Sequence, residues 1–200
     1  MFILGLTGSI GMGKSTTAAM FRQEGVKVHD SDAAVHALYR GEAVPAIERA
    51  FPGTTRGGAV DRAALGGRIR DDPAALRRLE AIIHPMVRES RAAFLRDAAE
   101  SGEKIVVLDV PLLFETGADK EVDAVVLASA PESVQKQRVA QRPGMTPEWL
   151  AIILSRQMPD AEKRLRSHFI IDTGQGFAAA QRQVQAVLRA VAGETGAKAF

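Results

Sequence analysis

The sequence contains no cysteine among its 200 residues. Disulfides, zinc–thiolate sites and cysteine nucleophiles are therefore excluded. No apolar run approaches the roughly 20 residues of a membrane-spanning helix. The short apolar opening, residues 1–6, lacks the preceding basic residues of a secretory signal. We expect a cytoplasmic protein that does not associate with membranes.

Aromatic residues and unbalanced charge are also scarce. Aromatic residues make up 5% of the chain, and the formal net charge is only +2. A net charge this small does not by itself argue for nucleic-acid binding, and the basic residues between 136 and 168 lack the interleaved aromatics that stack on bases. Hydrophobic residues, at 46%, suffice for a sizeable core. The composition indicates a globular protein with no evident obligate protein partner.

Apolar segments alternate with helical patterns along most of the chain. Strands are predicted at residues 2–6, 26–29, 105–108, 124–127 and 169–171. This alternation predicts an α/β fold with a doubly wound, parallel, five-stranded sheet. We expect a last helix that ends near Val191 and a frayed tail over residues 193–200.

A long helical stretch interrupts the alternation between the second and third predicted strands. After a loop at residues 52–58, residues 60–101 carry almost no strand signal. Asp61 is the predicted N-cap of the first helix, and residues 82–85, which end in Pro85, predict a break between two helices. We interpret 60–101 as an insertion into a core formed by residues 1–59 and 102–200.

Residues 8–15 match the phosphate-binding pattern G-x-x-x-x-G-K-[ST]. The glycines allow the backbone N–H groups to surround phosphates, the lysine reaches the β- and γ-phosphates, and the hydroxyl binds Mg²⁺. A plain glycine turn between strand and helix is the alternative, but the motif follows a strand and opens a helix, as nucleotide binding requires. The predicted ATP contacts here are Gly8, Gly11, Met12, Gly13, Lys14, Ser15 and Thr16.

Carboxylates follow the second and third predicted strands. Asp30 and Asp32 come where a strand gives way to a helix, so one of them can orient an acceptor hydroxyl or ligate Mg²⁺, or both can serve as helix caps. Asp109 is placed to bind Mg²⁺ with Ser15, or it faces solvent. The apolar loop at residues 111–115 either walls an organic substrate or belongs to the core.

Basic residues accumulate between residues 136 and 168. A solvated helix face explains such a run, and so does an arginine-bearing lid that neutralises a transferring phosphoryl group. Arg138 and Arg142 are four residues apart and share one helix face.

The late strands are not followed by N-K-x-D, so a guanine-specific switch has no support. An ATP-binding regulator and a phosphotransferase remain as alternatives.

Motifs over nearly the whole length resemble the bacterial dephospho-coenzyme A kinase family. Residues 5–15 are similar to the N-terminal segment of that family, and residues 110–115 are similar to its V-P-L-L-F-E stretch. The other matching elements, in chain order, are Asp30-Ser31-Asp32 with His36, Asp61-Arg62 with Leu65, Leu79-Glu80 with His84-Pro85, Gln157-Met158-Pro159 with Lys163-Arg164, and residues 169–172.

The resemblance implies transfer of the ATP γ-phosphoryl group to the ribose 3′-hydroxyl of dephospho-coenzyme A, the last step of coenzyme A biosynthesis, with Mg²⁺. It implies Asp32 as the hydroxyl-orienting residue, with Lys14 and Arg142 assisting, a lid at about 138–166, and an insertion that binds the coenzyme A precursor. A kinase for another small alcohol or nucleotide is the competing enzyme.

The resemblance also implies individual ligand contacts. Pro143 and Thr173 depart from the family's usual Asp and Asn. Besides the glycine loop, the expected ATP contacts are Arg138, Arg142 and Thr173. The expected contacts to the acceptor substrate are Asp32, Arg62, Leu65, His84, Pro85, Leu113 and Glu115.

Overall fold

The structure, a computed structural model, describes residues 1–70 and 72–195. The strands are β1 (Phe2–Thr7), β2 (Lys27–Asp30), β3 (Thr55–Arg56), β4 (Ala59–Val60), β5 (Ile105–Asp109), β6 (Ala124–Ser129) and β7 (Phe169–Asp172). The α-helices are α1 (Lys14–Gln23), α2 (Ser31–Leu38), α3 (Val44–Ala50), α4 (Arg62–Ile69), α5 (Pro73–Glu100), α6 (Glu132–Ala140), α7 (Pro147–Ser155), α8 (Asp160–Arg166) and α9 (Phe177–Thr195). Short 3₁₀ helices cover Ala118–Glu121 and Thr173–Gln175.

Five strands form one sheet in the order β2-β5-β1-β6-β7. The central strand β1 pairs in parallel with β5 and β6, and β6 pairs in parallel with β7. The register places Leu6 beside Asp109 and Ser129 beside Asp172, so the carboxyl ends of these four strands meet at one edge. This is the edge at which doubly wound sheets bind ligands. The predicted fold class is confirmed.

The chain divides into two compact units. One unit contains Met1–His29 and the chain from Ala98 onward, and the other is Asp30–Asp97. The first is built on the sheet, whose apolar residues pack with α1 and α9 around fully buried Leu4, Leu6 and Phe21. The second has its own apolar cluster, which includes Ile47, Leu65 and Leu79.

The second unit starts at Asp30, about thirty residues before the predicted insertion at 60–101. Helices α2 and α3 contribute Leu38 and Ile47 to the same cluster as Leu79 of α5. A shared apolar core therefore joins these earlier helices to the helical stretch. The sequence pattern alone grouped them with the sheet because they directly follow a strand.

The predicted break at residues 82–85 is wrong. Helix α5 runs without interruption through Pro85. A proline inside a helix removes one backbone hydrogen bond. Ile83 is buried, and Ile82, Met86 and Val87 pack against the same cluster. Burial of these side chains on both sides of Pro85 offsets the lost bond.

Two further predictions need correction at smaller scale. The predicted loop at 52–58 contains the start of a β3–β4 hairpin, whose turn residues Gly57 and Gly58 both have positive φ, as tight hairpins require. Helix α9 continues to Thr195, so residues 193–195 are helical rather than frayed. The rest of the predicted tail, 196–200, lies outside the described residues.

Within 1–70 and 72–195, no helix has the length and apolarity to cross a membrane.

Candidate active site

The glycine loop, residues 8–15, connects β1 to α1 at the carboxyl edge of the sheet. Gly11 has φ 78° and Gly13 has φ 89°, a left-handed backbone region that favours glycine. Helix α1 begins at Lys14, directly after the loop. Its first-turn N–H groups and positive dipole end therefore lie at the loop, an arrangement suited to binding a phosphate anion.

Close packing is a second reason for glycine in the loop. A Cβ atom added at Gly13 would lie 2.9 Å from Thr173 Oγ1, and one at Gly8 would lie 2.7 Å from the Ala128 carbonyl oxygen. Real Cβ atoms do not approach this closely. The loop is thus held against the ends of β6 and β7, and side chains at these positions would displace it.

Lys14 and Asp109 form an ion pair at the mouth of the loop. Lys14 Nζ lies 2.6 Å from Asp109 Oδ1, and Asp109 is only 2% exposed. The parallel register of β1 and β5 brings them together, since it pairs Leu6 with Asp109. A buried carboxylate requires a compensating charge or hydrogen bonds, and the Lys14 ammonium supplies the compensating positive charge to Asp109.

Ser15 and Asp109 offer oxygen atoms of the kind that Mg²⁺ prefers. The Ser15 side chain is exposed in the first turn of α1, one residue from Lys14. Among the described residues, no group of three or more His, Asp or Glu side chains could hold a metal ion. Kinase Mg²⁺ sites use one or two protein ligands completed by phosphates and waters, so this donor set fits the ion.

Arg138 and Thr173 support the glycine loop from the side of β7. The Arg138 guanidinium donates to Thr173 Oγ1 at 2.9 Å and to the Thr173 carbonyl oxygen at 2.7 Å. The Thr173 hydroxyl donates to the Met12 carbonyl oxygen at 2.8 Å. Thr173 is expected to contact ATP, and in this structure its hydroxyl is engaged by the glycine loop. The sequence offered no signal for this bridge.

The basic stretch divides into residues with different surroundings. Lys163 is fully buried, and Arg164 donates to the buried Ser129 hydroxyl at 2.9 Å. Arg142 and Arg156, in contrast, are exposed. The solvated-face interpretation is therefore wrong for Lys163. Arg142 stays a predicted contact to the transferring phosphoryl group.

Glu115 connects the loop after β5 to the segment before α8. Its Oε1 accepts from the Met158 backbone N–H at 2.7 Å and lies 2.9 Å from Lys163 Nζ. Burial alone would raise the pKa of Glu115, but the Met158 hydrogen bond and the Lys163 ammonium outweigh it, and the pKa lies below its ordinary value. Glu115 is thus engaged within the protein.

Two apolar residues expected to contact the acceptor are core residues. Leu113 has no exposed surface and packs with Phe114, Ala118 and Val125. Leu65 is 2% exposed, inside the core of the second unit. Neither side chain presents a surface to a ligand in this conformation.

The second unit presents polar residues of α2 and α4. Asp30 caps α2, since its carboxylate accepts from the Ala33 N–H at 3.0 Å. Asp32 lies exposed in the first turn, and His36, four residues later, shares its helix face. Arg62 Nη1 lies 3.0 Å from His36 Nε2. Because a guanidinium can only donate, this histidine nitrogen is the acceptor.

His84 and Pro85 lie on α5, and both are exposed. Their side chains are thus accessible to a ligand, as the sequence-based prediction requires. Their contact with the acceptor substrate stays a prediction.

Comparison with known proteins is decisive for the family. The model CoaE, described as dephospho-CoA kinase, matches residues 2–178. The chain belongs to the dephospho-CoA kinase family. A dephospho-CoA kinase of Mesorhizobium japonicum is 60% identical over 98% of this chain and all of its own length. The resemblance predicted from the motifs is confirmed.

Solved structures share the fold of this chain. The crystal structure of TT1252 from Thermus thermophilus has a TM-score of 0.81 and 35% identity, and the match covers 96% of this chain and 97% of that one. A dephospho-CoA kinase from Campylobacter jejuni has a TM-score of 0.66 at 21% identity, covering 94% and 96%. The latter supports the fold alone.

Proposed function

We propose that this chain transfers the γ-phosphoryl group of ATP to the ribose 3′-hydroxyl of dephospho-coenzyme A, which completes coenzyme A. The observation that carries the proposal is the Lys14–Asp109 pair at the glycine loop of a chain that belongs to this family. The substrates are ATP and dephospho-coenzyme A. We further propose that the enzyme acts in the cytoplasm.

The loop residues bind the ATP phosphates. Backbone N–H groups from Gly11 to Thr16 and the start of α1 surround the β-phosphate, and the Lys14 ammonium reaches the β- and γ-phosphates. Lys14 must exchange its contact with Asp109 for the nucleotide. That exchange puts a positive charge where negative charge develops during transfer, the main source of catalysis in such sites.

Ser15 and Asp109 would hold Mg²⁺ beside the loop. A Mg²⁺ ion held there with ATP would supply positive charge to the phosphates. The Asp109 carboxylate is released from Lys14 as that lysine turns to the nucleotide. Arg142, exposed near the start of the predicted lid at 138–166, would add charge when the lid covers the phosphates.

Asp32 is the proposed acceptor-side catalyst. Its carboxylate would accept a hydrogen bond from the ribose 3′-hydroxyl and direct that oxygen at the γ-phosphorus. It is exposed on α2, whereas its neighbour Asp30 is engaged as the cap. Arg62, His84 and Pro85, within the proposed insertion 60–101, would contact the rest of dephospho-coenzyme A.

A coupled assay of ADP release tests the function. Rapid release should require ATP, Mg²⁺ and dephospho-coenzyme A together. ADP release without an acceptor would indicate an ATP-binding regulator with slow hydrolysis. Preference for a nucleoside monophosphate or another alcohol would indicate a kinase of different specificity.

The matched variants Asp32→Asn and Asp30→Asn test the acceptor-side role. Asp32→Asn should lower kcat by about 10²- to 10⁴-fold, the usual contribution of a general base, with little change in ATP affinity. Asn caps helices about as well as Asp, so Asp30→Asn should stay near wild type. Loss in Asp30→Asn with normal turnover in Asp32→Asn would reverse the assignment.

A further inference from the structure

Gln157 contacts the glycine loop from the segment between α7 and α8. Its side-chain Oε1 accepts from the Ile10 backbone N–H at 3.2 Å. Because a backbone N–H can only donate, the oxygen of the carboxamide must face the loop. Ile10 lies inside the phosphate-binding motif, between Gly8 and Gly11. An acceptor of this chain thus engages an N–H of the loop that binds phosphates.

Neighbouring residues hold Gln157 in this position. The next residue, Met158, donates its N–H to Glu115 Oε1 at 2.7 Å. Glu115 is in turn paired with Lys163, which is fully buried. Within the described residues, Lys163 Nζ has no further hydrogen-bond partner. A buried charge with one partner strongly favours keeping that partner in place, so the backbone beside Gln157 is well anchored.

The carboxamide has room to change its orientation. A cavity of about 360 Å³ borders Gln157 and is lined also by Ser9, Met12, Pro159 and Asp160. A glutamine amide carries an acceptor oxygen and two N–H donors on one plane. A rotation by half a turn would therefore replace the oxygen with a donor, without moving the anchored backbone.

The two states match the chemistry of the loop with and without nucleotide. Lys14, the lysine of the phosphate-binding motif, is likewise engaged by an internal acceptor, Asp109, at 2.6 Å. When phosphate oxygens arrive, they take the place of both internal acceptors. The Gln157 oxygen would then face an anion, whereas its amide N–H groups would donate to that anion.

We propose that Gln157 is a contact to the terminal phosphate of ATP: its oxygen holds the Ile10 N–H in the free protein, and its amide N–H donates to the γ-phosphate once ATP binds. Gln157 then distinguishes ATP from ADP and helps to position the transferring group. The inference rests on the proposed nucleotide site, but not on the identity of the acceptor.

Nucleotide binding to Gln157→Glu tests the proposal by calorimetry with Mg²⁺-ATP and Mg²⁺-ADP, without any acceptor. A glutamate still accepts from the Ile10 N–H but places negative charge beside the terminal phosphate. ATP should bind about ten-fold or more weakly, and ADP about three-fold or less, since repulsion falls with distance. Gln23→Glu, the same change at an exposed residue at the end of α1, should alter neither affinity.

A second variant, Gln157→Leu, removes both the acceptor and the donor without adding charge. It should also weaken ATP binding more than ADP binding and should lower kcat by about ten-fold. Equal losses for ATP and ADP in both variants would show that Gln157 only shapes the loop and would overturn the proposal. Unchanged binding in both variants would overturn it as well. If wild type binds ATP but does not phosphorylate dephospho-coenzyme A, only the acceptor assignment fails.

Discussion

The pair formed by Glu115 and Lys163 allows a sharp test of how the segment before α8 is anchored. In Glu115→Gln the amide oxygen still accepts from the Met158 N–H, so only the charge is removed. Lys163 is fully buried, whereas the Glu115 side chain is 17% exposed. The variant therefore leaves an ammonium in the interior without its counter-charge.

The exposures indicate how large the effect should be. Removing one partner of a buried pair costs about 3–5 kcal/mol. Because Glu115 is partly exposed, we expect the lower end, about 3 kcal/mol, for Glu115→Gln. For a protein of this size each kcal/mol lowers Tm by about 2–4 °C, so Tm should fall by roughly 6–12 °C.

The reciprocal variant should be milder. In Lys163→Met, the Glu115 carboxylate stays partly exposed and still accepts the hydrogen bond from the Met158 N–H. The free energy of unfolding should therefore fall by only about 1 kcal/mol. The double variant should recover most of the stability lost in Glu115→Gln, because replacing both charges removes the unpaired ammonium. Thermal unfolding of all four proteins measures this cycle.

The pH dependence gives an independent check with a definite sign. The pKa of Glu115 in the folded protein lies below its ordinary value. Its charged form therefore stabilises the fold above the unfolded pKa, and this contribution disappears as pH falls through the folded pKa. The Tm difference between wild type and Glu115→Gln should thus shrink between pH 7 and pH 3. A difference below about 1 °C at pH 7 would refute the role of this pair.

Three further predictions address the loop and the two substrates. Gly13→Ala should weaken ATP binding by about ten-fold or more, because the added methyl group meets Thr173 and φ at this residue is positive. The control is Gly25→Ala, where φ is also positive but the space around the added methyl group is open. It should lower Tm only modestly and leave the ATP affinity measured by calorimetry unchanged. Arg142→Ala should lower kcat by about ten-fold or more in steady-state assays while ATP affinity changes little; normal kcat would favour a solvated surface residue. His84→Ala should raise the KM for dephospho-coenzyme A several-fold and leave the KM for ATP near wild type; equal increases would indicate a folding defect.

Local patterns predicted the sheet and the phosphate site because both depend on short-range spacing. Five apolar segments alternate with helices, and the motif at residues 8–15 fills the first connection. Parallel pairing of neighbouring strands then brings Lys14 to Asp109. The sequence places both residues at this edge of the sheet, but it predicts no strand order, so their direct contact was not predicted.

Several other predictions were wrong because they concern residues whose surroundings depend on contacts with distant parts of the sequence. Pro85 indicated a helix break, yet apolar contacts on either side keep α5 continuous. The sequence places Lys163 in a basic stretch, and lysines are rarely buried. Its burial is explained by the ion pair with Glu115, which is distant in the sequence. Leu65 and Leu113 were expected at the ligand, but both complete apolar cores.

The position of the transferred phosphate tests the central claim most directly. The enzyme would be incubated with Mg²⁺, dephospho-coenzyme A and ATP labelled in the γ-phosphate, and the labelled product would be located by phosphorus NMR. Label on the ribose 3′-oxygen, formed in equal amount to ADP, is the predicted result. Label in free phosphate alone, or on any other hydroxyl, would contradict the account.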